Sequence, residues 1–302
     1  MTASAAPLEA APLNAARALA PTIAAHGDAI EAARRLPPEL AAMMADAGLF
    51  RLIIPRSLGG WEAEPWTIVE TIEAIAQADA SAGWCLMIGS TTALNSAYLE
   101  PAVARALYAD PSVITGGVFA PMGRAAPDGE DYIVTGRWAW GSGTQNARWI
   151  AGGALVMDGD KPKIGPDGAP VQRMMMFDAR DVTFHDTWRT MGLNGTGSLD
   201  FSVEGLRVPQ ARSVSLVHDK PVEPGALYAF PAFGLLAMGI ASVALGNARA
   251  ALDAFAAFAT RKKPAASTRT LAERAHTQMT FANATAAHAG ARAFLREAID
   301  DA

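Results

Sequence analysis

Apolar residues recur at helical spacing over the first third of the chain. From residue 13 to residue 44, Leu and Ile stand three or four positions apart in an Ala-rich background, and Pro37-Pro38 divides this stretch into two predicted helices. Similar spacing predicts three more helices, at residues 64–80, 83–98 and 101–110. Residues 1–112 are therefore predicted to form an N-terminal helical domain.

The pattern then changes to short runs of alternating, β-branched and aromatic residues. These runs predict six strands, at residues 113–119, 131–140, 149–157, 171–177, 182–188 and 199–208. Because no helical pattern separates the strands, residues 113–212 are predicted to form an antiparallel sheet or small barrel.

Helical spacing returns after Pro224, and residues 213–302 are predicted to form a C-terminal helical domain. Residues 230–260 predict one long helix, which is apolar on nearly all sides and is therefore expected to be buried. Residues 270–298 predict a second helix. The predicted fold class is thus α+β, with a central β domain between two helical domains.

Composition agrees with a folded, soluble protein, because 51% of the 302 residues are hydrophobic and 18% are charged. A net charge of -5 gives no electrostatic basis for nucleic-acid binding. The first twelve residues lack the features of a signal peptide, and the most apolar run, residues 232–245, is shorter than the roughly 20 residues that span a bilayer. We therefore expect a cytoplasmic protein.

The sequence offers little for metal or thiol chemistry. No two of the five histidines stand at a metal-ligand spacing such as i, i+4, so no metal site is predicted. Cys85 is the only cysteine, and its neighbours Trp84 and Leu86 favour an inert buried thiol over a nucleophile.

Residues 136–143 (Gly-Arg-Trp-Ala-Trp-Gly-Ser-Gly) are the first candidate for a cofactor surface. Alternation along a strand would place Trp138, Trp140 and Ser142 on one face. Two indoles and a hydroxyl there could form a wall for a flat aromatic cofactor. The alternative is a sheet face packed beneath helices, with Ser142-Gly143 turning the chain.

Two other segments each allow two interpretations. Residues 195–198 (Gly-Thr-Gly-Ser) could offer N–H groups and hydroxyls to a phosphate or a ring carbonyl, or could simply turn a hairpin. Trp84, Met87 and Thr91 share one face of a predicted helix, with Asn95 one turn further on. That face could line a substrate pocket or form an ordinary core stripe.

Taken together, these segments resemble the acyl-CoA dehydrogenase superfamily over residues 15–300. The resemblance is carried by four motifs in order, at residues 49–60 with 79–84, 119–123, 140–143, and 191–198 with Val208-Pro209. The Ser-Gly after the tryptophan, the Gly-Thr-Gly-Ser loop and the Ser-Ala-Gly-Trp segment are closer to the flavin-dependent monooxygenase branch. That branch includes two-component phenol hydroxylases and dibenzothiophene-type oxygenases.

The resemblance implies an enzyme that takes reduced FMN or FAD from a separate flavin reductase. With O2, such an enzyme hydroxylates a small aromatic substrate, and Trp84, Met87 and Thr91 are the candidate substrate contacts. The resemblance also implies a homo-oligomer, either a dimer or a tetramer.

By position, the resemblance assigns flavin contacts to residues of all three β-domain motifs. Ser142 would hydrogen-bond the flavin N5 atom, Trp140 would flank the isoalloxazine, and Gly143 in the same motif would also bind the cofactor. The other implied contacts are the hydroxyls of Thr196 and Ser198 and the backbone near Phe119 and Pro121.

The chain departs from the superfamily pattern in two places. Asn194 stands where many relatives carry arginine. Residue 302 comes before the expected region that bears a catalytic glutamate or histidine, so the C-terminal domain is expected to be incomplete and the catalytic base is unknown. The alternatives to a monooxygenase are an FAD-dependent acyl-CoA dehydrogenase and a non-catalytic flavin-fold scaffold or fragment.

Overall fold

Proline and aspartate residues determine where several helices begin. The computed structural model describes residues 11–302, and in it Pro38, Pro65 and Pro101 each occupy the first position of a helix. Asp79 caps another helix, because its carboxylate accepts a hydrogen bond from the Ala82 N–H at 2.8 Å. The prediction that the N-terminus carries no signal peptide concerns the first twelve residues, of which residues 1–10 lie outside the described residues.

The described helices fall into two groups, one before and one after the sheet. They are α1 (Ala11–Ala25), α2 (Gly27–Ala33), α3 (Pro38–Asp46), α4 (Pro65–Ala78), α5 (Ala80–Thr92), α6 (Pro101–Tyr108), α7 (Ala232–Ala259) and α8 (Ala275–Asp300). The strands are β1 (Thr115–Asp128), β2 (Asp131–Gly141), β3 (Trp149–Asp158), β4 (Lys161–Pro162), β5 (Gln172–Asp178), β6 (Thr183–His185), β7 (Leu199–Pro209) and β8 (Ser213–Val214). The predicted α+β class is confirmed.

The sheet is mixed, and the prediction of a purely antiparallel sheet is wrong. Its strand order is β6-β7-β2-β1-β3-β5-β8, with β4 paired to β3. β1 pairs antiparallel with β2 on one side and parallel with β3 on the other. After the turn at Thr144–Asn146 the chain passes to the far side of β1, where β3 runs in the same direction as β1. Strand spacing alone does not reveal which neighbour a strand will join.

Trp138 lies at the centre of the sheet's own core and is fully buried. Its ring stacks on Phe201 with centroids 5.1 Å apart, and its Nε1–H donates to the Gly153 carbonyl at 2.7 Å. A Cβ atom at Gly152 would lie 2.7 Å from the indole, so this position must be glycine for the ring to fit.

The long apolar helix α7 is less buried than predicted. It packs against α4 and α5 and buries Leu235, Met238 and Val243, but Ile240 and Phe258 remain about half exposed. The prediction of a buried helix is wrong, because α8 covers only part of the outer side of α7. None of the residues of α8 is itself buried.

Residues 232–245 were predicted to be too short to span a membrane. In the structure they are the first half of α7, which is 28 residues long. By length and composition alone, α7 could cross a membrane, a test that core helices of soluble proteins also pass. Its packing against α4 and α5 covers one side of the helix.

Candidate functional site

β1 bulges out of the sheet at one of the predicted flavin motifs. Its pairing with β3 is regular up to Val118 and resumes at Gly123, so residues 119–122 face the single residue Gly153. A Cβ atom at Gly153 would lie 2.1 Å from the Phe119 carbonyl oxygen, and that oxygen accepts a hydrogen bond from Gln172 at 2.7 Å. Such a bulge turns side chains away from the normal alternation, as is common beside active sites.

β2 carries a second bulge at the Trp-Gly-Ser motif. Between the Trp138–Phe201 and Gly141–Leu199 pairs, two residues of β2 oppose one residue of β7. The extra residue reverses the alternation, so the prediction that Trp138, Trp140 and Ser142 share a face is wrong.

The bulge instead leaves the Trp140 indole 69% exposed, whereas Trp138 is buried. The backbone of Trp140 has φ +64°, a left-handed conformation that is strained for a bulky residue. Strained residues of this kind cluster at functional sites. An exposed ring on a strained bulge is therefore a candidate ligand contact.

Directly after this bulge, the Ser142 hydroxyl begins a buried chain of hydrogen bonds. The Trp84 Nε1–H donates to Ser142 Oγ at 2.9 Å, and Ser142 Oγ lies 2.6 Å from Ser198 Oγ. Ser198 Oγ is 2.6 Å from Thr196 Oγ1, which donates to the Leu193 carbonyl at 2.8 Å. We call these groups the hydroxyl chain; it joins α5, the β2 bulge and the loop before β7.

The two ends of the hydroxyl chain fix the direction of its protons. The Leu193 carbonyl can only accept and takes the single Thr196 proton, so Ser198 must donate to Thr196. Ser142 must then donate to Ser198, while it accepts from the indole N–H of Trp84. In this arrangement Ser142 has no proton for a ligand, but its oxygen can still accept one more hydrogen bond.

Backbone contacts hold the two loops of the chain together. The Gly143 N–H donates to the Thr196 carbonyl at 2.9 Å, next to the turn at Asn194–Thr196. The Asn194 Nδ2 group donates to the Glu31 carbonyl at 3.1 Å and so ties the loop to α2. Asn194, which the sequence analysis singled out as a departure from the superfamily pattern, therefore makes an uncharged contact to this chain's own N-terminal helices.

Cys85 lies behind these loops, with its sulfur 3.6 Å from the Thr196 carbonyl. Burial raises the pKa of the Cys85 thiol to about 12, because a thiolate would lose its hydration there.

We expect the native protein to be unreactive towards Ellman's reagent at pH 8, and one thiol per chain to react in guanidinium chloride. Reaction of the native thiol at the rate of free cysteine would contradict this burial.

A small pocket adjoins the hydroxyl chain between α5, β1 and α7, with a volume of about 140 Å³. The structure brings Trp84, Met87 and Thr91 together along one side of this pocket. Because Trp84 also donates to Ser142, the pocket and the hydroxyl chain share a wall. Sequence reasoning missed the lining residues that come from distant segments, namely Gly117, Met174, Leu216, Leu236 and Ile240.

No ionisable side chain among the described residues borders this pocket. Residues 11–302 also contain no group of three or more His, Cys, Asp or Glu side chains that could hold a metal ion. A larger open groove of about 660 Å³ lies between helices, where Arg292 pairs with Glu70 and Glu73. That groove shares no residue with the bulges or the hydroxyl chain, so we regard the smaller pocket as the candidate site.

Two models of one family match this chain. The acyl-CoA dehydrogenase N-terminal domain matches residues 10–100, and the acyl-CoA dehydrogenase C-terminal domain matches residues 238–302. The chain belongs to the acyl-CoA dehydrogenase family.

The similar proteins within this family include flavin-dependent monooxygenases. Indole-3-acetate monooxygenase of Pseudomonas putida is 31% identical over 84% of this chain and 64% of its own length. The oxygenase subunit HsaA of a flavin-dependent monooxygenase from Rhodococcus jostii is 31% identical over 66% of this chain and 50% of its own. The chain thus spans between half and two thirds of these curated relatives.

A solved structure extends the likeness to most of the fold. The structure of XiaF from Streptomyces sp. in complex with FADH2 and glycerol superposes with a TM-score of 0.82. It is 25% identical and covers 97% of this chain and 76% of its own chain.

Proposed function

We propose that this protein is the oxygenase of a two-component system, which uses reduced flavin and O2 to hydroxylate a small aromatic substrate. The observation that carries the proposal is the exposed, strained Trp140 ring beside the buried hydroxyl chain, with an uncharged pocket on the other side of Trp84. The named activities of the two curated relatives support the same reaction type.

The residues at the two bulges fit a flavin. Trp140 offers an exposed ring face for the isoalloxazine, and Ser142 offers one free acceptor position at the flavin N5 atom. The other proposed contacts are Gly143, Thr196, Ser198 and the backbone near Phe119 and Pro121, which lie on the same two bulges and the adjoining loop.

A bound reduced flavin would supply the electrons and the activation of O2. The protein's own contribution is to orient the reactants and to keep water out. The apolar lining and the absence of ionisable side chains around the pocket in the described chain favour this role. The Trp84 indole lies between the pocket and Ser142, so it is suited to hold a substrate ring against the flavin.

The proposal includes a separate flavin reductase, and the chain is proposed to assemble as a dimer or tetramer. The first part is supported by the relative that is named as an oxygenase subunit. A dehydrogenase of acyl-CoA thioesters is less well supported, because it needs a carboxylate base at the thioester α-carbon. No Asp or Glu among the described residues borders the pocket.

Flavin binding and turnover test the proposal directly. We expect the anaerobic protein to bind FADH2 or FMNH2 and, after addition of O2 and a phenol, to form a hydroxylated product. Oxidised flavin with an acyl-CoA is the control and should show no bleaching. Bleaching without hydroxylation would favour the dehydrogenase, and a folded chain that binds neither flavin would favour the scaffold.

A tryptophan pair localises the flavin in the same experiment. Trp140→Ala should weaken reduced-flavin binding about tenfold, through the loss of ring stacking. Trp66→Ala is the matched control, because Trp66 lies on α4 against Arg292 and away from the two bulges. The affinity of this variant for reduced flavin should match that of the wild type. Equal affinities for all three proteins would place the flavin elsewhere.

A further inference from the structure

We infer that Asn95 selects the substrate, which is a neutral, single-ring aromatic compound with a hydrogen-bond donor such as a phenol hydroxyl. The inference rests on the proposed function and adds the substrate class and a specificity-determining residue. It is carried by three features of the pocket: an unpaired amide, the absence of charge, and the volume.

Asn95 borders the pocket just beyond the end of α5 and is only 2% exposed. Its Nδ2 group makes one weak contact, to the Met176 sulfur at 3.7 Å, and its Oδ1 atom has no hydrogen-bond partner within residues 11–302. A buried polar atom left unpaired costs about 1–3 kcal/mol. If the amide oxygen and nitrogen were exchanged, the NH2 group would be the one left without a hydrogen-bond partner. The fold therefore retains an unfavourable group beside the pocket, which a ligand donor would satisfy.

The other buried polar groups on this side of the pocket are already engaged. The Thr91 hydroxyl donates to the Met87 carbonyl at 2.8 Å, within its own helix. The Trp84 N–H donates to Ser142 in the hydroxyl chain. Asn95 is thus the buried side chain of the lining that is left to recognise a polar group on the substrate.

The remaining features define what the ligand can be. A volume of about 140 Å³ is close to that of an engineered apolar cavity, about 150 Å³, that binds benzene, so one ring fits. A carboxylate would be buried without a cationic partner among the described lining residues, which is strongly unfavourable. The pocket is therefore suited to a phenol rather than to an arylacetate anion.

Phenol, toluene and benzoate form a matched ligand set for calorimetric titration of the full chain. Toluene has the shape of phenol without its donor, and benzoate adds a charge. We expect the ratio of phenol affinity to toluene affinity to fall about tenfold in Asn95→Ala, which corresponds to one lost hydrogen bond. Benzoate should bind at least tenfold more weakly than phenol to the wild type.

Ser90→Ala is the matched control variant, because Ser90 is also buried on α5 with an unpaired hydroxyl but does not border the pocket. It should leave the phenol-to-toluene ratio at the wild-type value. Asn95→Val is a second variant in case the alanine protein is poorly folded, and it should lose the same discrimination. The melting temperature should not fall in Asn95→Val, because the unpaired amide has been removed.

An unchanged ratio in both Asn95 variants, tight benzoate binding, or no measurable binding of phenol would each overturn the inference. The flavin titration separates this failure from failure of the proposed function. A chain that binds reduced flavin but does not discriminate through Asn95 would refute the inference alone. A chain that discriminates but binds no flavin would refute the proposed monooxygenase.

Discussion

Trp138→Ala is expected to lower the free energy of unfolding by about 3–5 kcal/mol, the range for removing a large aromatic side chain from a packed core. The indole is fully buried against Phe201 and Phe177, and its N–H satisfies the Gly153 carbonyl. The cavity cannot refill easily, because Gly152 has no side chain to move into it. Urea unfolding followed by far-UV circular dichroism measures the change from the transition midpoint at constant slope.

Trp140→Ala is the matched control, since it removes the same side chain two residues further along the same strand. Its indole is largely exposed, so its unfolding free energy should stay within about 0.5 kcal/mol of the wild type. A larger loss of unfolding free energy in Trp140→Ala than in Trp138→Ala would contradict the bulge in β2 that buries Trp138 and exposes Trp140. The pair thus tests the feature that separates a core tryptophan from a candidate flavin contact.

Local sequence signals were enough to predict most of the elements. Proline at the first helical position and a change from helical to alternating spacing locate helices and strands within a few residues. These signals depend only on neighbours along the chain. They do not report what covers an apolar surface, which is why α7 was expected to be buried and is not.

The bulges that form the candidate site could not be predicted, although they occur at the predicted motifs. Strict alternation would have left Trp138 and Trp140 on one face, and a single inserted residue separates them. The close approach at Gly153 depends on β1 and β3 being neighbours, which is a property of the sheet order. A glycine in a strand is only a weak indication of such a bulge.

The hydroxyl chain is a further feature that needs the fold. Trp84 and Ser142 are 58 residues apart in sequence, and no local pattern indicates that their side chains meet. The sequence did indicate that Ser142, Thr196 and Ser198 belong to one site, through the family resemblance. The direction of their protons followed only from the groups at the two ends of the chain, the Trp84 N–H and the Leu193 carbonyl.

That direction predicts a preference for reduced flavin. The proposed function puts the flavin N5 atom at Ser142, which can accept a hydrogen bond but has no free proton to donate. N5 carries a hydrogen in reduced flavin and only a lone pair in oxidised flavin. Wild-type protein should therefore bind reduced flavin more tightly, and Ser142→Ala should weaken that binding about tenfold through loss of the acceptor.

Thr196→Val should weaken the preference for reduced flavin, because it removes the group that fixes the direction of the protons in the hydroxyl chain. Without Thr196 Oγ1, Ser198 loses its acceptor and can donate to Ser142, whose proton then becomes free for the lone pair of oxidised N5. The ratio of reduced to oxidised flavin affinity should fall about tenfold, which lowers the midpoint potential of the bound flavin by about 30 mV. Thr71→Val is the control, because Thr71 is buried and donates only to the Thr67 carbonyl within α4. Equal potentials in both threonine variants would show that the hydroxyl chain does not act on the flavin.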